Sequence, residues 1–129
     1  MGAQQHLHQV RQIALALPGV TERISHGAVG FFIQDRRPLC YFHDDHRGNG
    51  RVSLWFPSSG PAQEELVGAE PHRFFRPAPS ASGAFSSWLG IFIDLPGHDG
   101  VDWQEITAVL HETYRRIAPQ RLIADLDLE

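Results

Sequence analysis

Apolar residues recur at helical spacing at the start of the chain. Leu7, Val10, Ile13, Ala14 and Leu17 share one face, so residues 3–17 read as an amphipathic helix that Pro18-Gly19 ends. The period then changes from helical to alternating. Residues 29–34, 38–43 and 51–56 are short β-branched or aromatic runs parted by turn residues, Asp35-Arg36-Arg37 and then Asp44 to Gly50, which predicts an antiparallel meander. A short helix follows from Pro61 through Val67, with Gly68 as its stop. Residues 70–84, rich in Pro, Ser, Ala and Gly around Arg73-Phe74-Phe75-Arg76, read as a brief strand and a mobile loop from Pro77 to Gly83. In the last strand, Trp88–Leu95, one face holds Leu89, Ile91, Ile93 and Leu95, and the other Trp88, Gly90, Phe92 and Asp94. Asp102 and Glu105 form a capping-box-like pair opening a third helix, whose buried stripe is Ile106, Val109, Leu110, Thr113 and Ile117. Pro119 breaks that helix and starts a terminal turn carrying Leu122, Ile123 and Leu126.

The order α-β-β-β-α-β-β-α-α gives an α+β fold, a two-layer sandwich of an antiparallel sheet with helices packed on one face. No repeat or linker divides the chain, so residues 1–129 read as a single domain. With 129 residues and 42% hydrophobic content, such a domain buries roughly 65–70% of its unfolded surface and needs no disulfide or metal to fold. The one cysteine, Cys40, excludes an internal disulfide framework and favours a reducing compartment. No basic segment leads into an apolar run, and none approaches the ~20 residues of a membrane span, so the expected location is cytoplasmic, without a membrane partner.

Charge sharpens the picture a little. There are eleven arginines and no lysine. A GC-rich coding bias explains this blandly; recognition of phosphate or carboxylate by planar guanidinium groups is the functional reading. Net charge is −4, which argues against a strongly basic nucleic-acid binder. Three acids lie at Asp125, Asp127 and Glu129, so the rest of the chain is nearly neutral and has room for a local basic patch.

Several short stretches resemble the MmcQ/YjbR-like family. These are Ala16-Leu17-Pro18-Gly19-Val20-Thr21-Glu22 with Ser25-His26-Gly27, Trp88 leading into an alternating strand, and Asp102-Trp103 opening the last long helix. The ending, Tyr114-Arg115 to Ala118-Pro119-Gln120-Arg121-Leu122, is similar too, with Gln120 where a lysine is usual. The resemblance spans residues 7–124. It implies a frataxin/CyaY-like sandwich, also described as a double-wing arrangement and on that basis linked to DNA. It implies no catalytic residues.

Reaction chemistry is sparse. There is no P-loop, dinucleotide fingerprint or Gly-x-Ser-x-Gly elbow, and in His111-Glu112-Thr113-Tyr114-Arg115 an arginine stands where a zinc protease needs its second histidine. His43-Asp44-Asp45-His46 offers four donors at a strand end, but neighbours on a strand point to opposite faces; His6 and His8 lie about 200° apart on their helix. Residues 1–17 hold no Asp or Glu, so a frataxin-like acidic iron surface is not expected. No metal or cofactor is assigned.

Two binding readings remain. The turn arginines Arg36 and Arg37, and Arg47 and Arg51, are candidate DNA contacts, at opposite strand ends and so ~15–20 Å apart. The alternative is a planar small molecule on an aromatic outer sheet face, where Trp55, Trp88 and Phe92 are the candidate ligand contacts, joined by Phe32 and Phe42, with the 77–83 loop as a lid. If the 70–84 loop folds over that face instead, it becomes a second small core. His26 beside Gly27 is the most enzyme-like position, as a base or ligand-facing donor, though a turn anchor is the plainer role. The chain is expected to be a monomer or a homodimer.

Overall fold

The computed structural model describes residues 3–48, 50–77, 83, 85–94 and 101–128. In chain order these form α1 (Ala3–Leu15), β1 (Val20–Ser25), β2 (Ala28–Ile33), β3 (Arg37–Asp44), a single 3-10 turn at His46–Gly48, β4 (Val52–Pro57), α2 (Gly60–Ala69), β5 (Phe74–Phe75), β6 (Trp88–Phe92), α3 (Trp103–Ile117) and α4 (Gln120–Asp127). The strands make one antiparallel sheet in the order β1-β2-β3-β4-β6-β5. The α+β sandwich expected from the periodicity is the observed architecture.

The alternation of side chains assigns the two faces. Phe31, Ile33, Phe42, Leu54, Phe56, Leu89 and Ile91 point to the inner face and meet Val10 and Ala14 of α1, Ile106, Leu110 and Tyr114 of α3 and Leu122 of α4. Each large apolar side chain fully removed from water there contributes about 1.5–3 kcal/mol. A bulge in β3 opposite Phe31/Phe32 turns both Leu39 and Cys40 into this core, where each is fully buried. Tyr114 anchors the layer by donating its hydroxyl to the Pro18 carbonyl at 2.6 Å.

Four expectations are corrected. β1 was not foreseen: Val-Thr-Glu-Arg-Ile-Ser is an edge strand with none of its residues buried, so it lacks the apolar alternation of a core strand. α2 runs through Gly68 and ends at a cap on Glu70, whose N–H donates to Leu66. Phe42 faces the helices because it pairs with Leu54; Tyr41, opposite Trp55, takes its place on the outer face. β6 ends at Phe92, and Leu95 lies outside the described residues. Of the expected 77–83 loop, residues 78–82 also lie outside them.

The meander leaves two unlike ends. At the first lie the start of β1, the β2–β3 turn and the end of β4. Arg37 reaches the Ile117 carbonyl there, bringing the C-terminus of α3 to this end, and Leu122 beside Gly19 brings the first turn of α4. At the second lie the β1–β2 and β3–β4 turns and the N-terminal residues of α1.

Candidate functional site

The first end of the sheet gathers arginines. Arg36 and Arg37 come from the β2–β3 turn and the start of β3, Arg116 from the last turn of α3, and Arg121 from the first turn of α4. All four are exposed. Arg37 donates to the Ile117 carbonyl at 3.0 Å and Arg116 to the Pro57 carbonyl at 2.7 Å. A carbonyl orients a guanidinium without neutralising it, and leaves most of its five N–H donors for another acceptor. None of the four has a carboxylate partner among the described residues, whereas Arg11, Arg23, Arg51, Arg73 and Arg115 each form an ion pair. The carboxylate of the turn itself, Asp35, is held by Arg23 at 2.8 Å. α4 begins at Pro119 without a side-chain cap, so its first N–H groups add partial positive charge to the same region.

The second end is different. Arg51 donates to Asp94 Oδ1 at 3.3 Å and lies 3.9 Å over the Phe92 ring. Phe92 in turn stacks on Phe75 at 4.5 Å. Arg47 is exposed, in a turn that also carries Asp44 and Asp45. Asp45 Oδ1 accepts the Gly50 N–H at 2.6 Å and so shapes the turn. The four sequence-derived arginines therefore divide: Arg36 and Arg37 join Arg116 and Arg121, while Arg47 and Arg51 stand at the opposite end among carboxylates.

Histidines at this second end converge in a way that strand alternation alone does not anticipate. The turn brings His46 back so that its ring centroid is 4.7 Å from that of His43 and 4.9 Å from that of Trp55, and His43 lies 3.9 Å from Trp55. Burial first, and the neighbouring His46 second, push the His43 value down to about 4, so its ring is neutral at pH 7. Both rings also border a cleft of about 380 Å³, floored by Leu7, Val29 and Phe42. Among the described residues no group of three or more His, Cys, Asp or Glu side chains is placed to hold a metal.

The outer face between the two ends is filled by its own aromatics. Tyr41, Trp55 and Trp88 are buried against Phe32 and Phe85, with Phe85 5.4 Å from Trp55 and 4.9 Å from Trp88. Two glycines make room for this layer. A Cβ on Gly90 would run into the Phe75 ring, and one on Gly30 would come within 2.7 Å of Phe32 and 2.9 Å of Tyr41. Phe74 turns the other way, into the helix core. His26, exposed in a left-handed conformation with φ 51°, lies edge-on to Tyr41 and Phe85 and borders the cluster. Tyr41, Phe85, Arg116 and Arg121 were not singled out as site residues from the sequence. The pair of arginines flanking the Pro119 break was the available signal for the latter two.

No family model and no curated protein matches the chain. Among solved structures, the fold is similar to the crystal structure of the Deinococcus radiodurans protein DR2400, which has a DUF419 domain. The TM-score is 0.61 at 18% identity, over 88% of this chain and 79% of that one. At that identity the similarity shows a shared fold. Among the described residues no helix is long and apolar enough to cross a membrane.

Proposed function

We propose that the chain is a non-enzymatic DNA-binding domain that grips the phosphate backbone with the first end of its sheet. Arg36, Arg37, Arg116 and Arg121 make the contacts. The observation that carries this reading is the gathering of these four: they are exposed, have no carboxylate partner among the described residues and are drawn from three elements onto one end, while the carboxylate of the turn, Asp35, is taken up by Arg23. Guanidinium groups bind phosphate oxygens bidentately, and the carbonyl contacts of Arg37 and Arg116 reduce the side-chain freedom lost on binding. Among the described residues this end presents turns and helix termini, so the contacts follow the backbone rather than the base edges and binding is expected to depend weakly on sequence.

The test is fluorescence anisotropy of a labelled random-sequence duplex at 50 and 200 mM salt. Four phosphate contacts imply a logarithmic salt slope of about −3.6, or a fall on the order of a hundredfold between the two concentrations. Replacing all four arginines with alanine should remove the binding while the circular dichroism spectrum is kept. No binding at 50 mM, or unchanged binding by the fourfold variant, would exclude this surface.

A further inference from the structure

The β3–β4 turn combines strained backbone, buried imidazoles and unmet polar atoms in one place. Asp45, Arg47 and Gly48 have φ of 59°, 53° and 75°, the left-handed region that favours glycine. This conformation carries His46 back onto the sheet, into ring contact with His43 and Trp55. Trp55 is only 4% exposed and His43 7%. Yet the Nε1–H of Trp55 and Nε2 of His46 are buried with no hydrogen-bond partner among the described residues. Among the described residues the ring contact itself therefore rests on packing, and leaving such atoms unmet is unfavourable.

We propose that this turn is an acid-released latch: a proton on His43 detaches the 44–48 turn from Trp55 while the rest of the sheet stays folded. The neutral ring suits its place between Trp55 and His46, and an imidazolium there would lose its hydration. The charged and titratable groups around it do not compensate. From the turn come Asp44, Asp45, Arg47 and His46, with Asp45 already committed to the Gly50 N–H. Just before β4 comes Arg51, paired with Asp94 beyond β6, and from the β1–β2 turn His26, which lies against Tyr41 and Phe85. Among the described residues none of these hydrogen-bonds His43. Burial accordingly holds His43 neutral down to about pH 4 while the contact is closed. Opening hydrates the imidazolium, His46 Nε2 and Trp55 Nε1 in one movement. The Gly48 N–H to Asp45 carbonyl bond is internal to the turn, while Asp45 ties it to the start of β4, donating its N–H to the Arg51 carbonyl at 2.8 Å and accepting the Gly50 N–H, and so supplies the hinge about which it swings.

The three tryptophan indole N–H signals, resolved by NMR in the full chain from pH 7.5 to 3.5, read the latch directly, with far-UV circular dichroism in parallel. The expected result is a shift and faster solvent exchange of the Trp55 signal with a midpoint between pH 6.5 and 4, while Trp88, Trp103 and the dichroism stay constant. His43→Phe keeps a ring on Trp55 without the proton and should abolish the transition; His46→Gln should retain it. Should H43F fail to fold, the His43 ring protons of the unsubstituted protein must titrate together with the Trp55 signal. A Trp55 signal unmoved to pH 3.5, all three indoles changing together with the dichroism, the same transition in H43F, or different midpoints for His43 and Trp55 would each overturn the latch.

Discussion

The two ends of the sheet are made of similar parts, tight turns and basic side chains, and reach opposite results. At the first end Arg37 and Arg116 are fixed by carbonyls, which keep their charge available. At the second end Arg51 is fixed by Asp94 and by the face of Phe92, and the turn's basic residues stand beside Asp44 and Asp45. His43 there is buried until it is no longer basic at neutral pH. What separates an arginine whose charge stays available from a structural one is thus the acceptor that holds it, a distinction residue type does not carry.

The largest expected effect would come from acid acting on the second end alone. His43 has a folded value near 4 against an ordinary 6.5, so the unfolded chain binds its proton first. The stability this confers is complete above about pH 6.5 and is lost as pH falls toward 4, by as much as about 3 kcal/mol. Urea denaturation at pH 7 and pH 4 should show it, and His43→Phe should flatten the difference; equal losses in both proteins would assign the acid sensitivity elsewhere. An intermediate effect is expected at the first end. The double variant Arg37→Ala/Arg116→Ala should weaken duplex binding about tenfold at 50 mM salt, or roughly 1.4 kcal/mol, and make the salt slope shallower by about 1.8. A weaker affinity with an unchanged slope would mean that the substitutions act on α3 rather than on phosphate. The smallest effect sharpens the contrast most: Arg47→Ala should leave affinity within about twofold, and a tenfold loss would place DNA at both ends.

Much of the fold was legible because its core elements obey a single period. α3, with Asp102 accepting the Glu105 N–H and a stripe from Ile106 to Ile117, and β6, with Leu89 and Ile91 on one face, follow directly from their patterns. β1 does not, since the hydrogen bonds to β2 that define it demand no apolar side chain. The candidate site was legible by halves. Turn chemistry located Arg36 and Arg37, but joining them to Arg116 and Arg121 required knowing at which end of the sheet α3 stops. Similarly, the outward set Trp55, Trp88 and Phe92 followed from alternation. That Phe85 closes over Trp55 and Trp88 depends on contacts between separate segments.

The bulge that turns Cys40 into the core has a practical consequence. It is the only thiol in the chain, fully buried, with its acidity strongly suppressed by the loss of solvation. An alkylating reagent therefore reacts only with molecules whose central strand has come loose. The rate of its modification, followed by mass, is a native clock for the opening of β3, the strand that joins the arginine end to the histidine end.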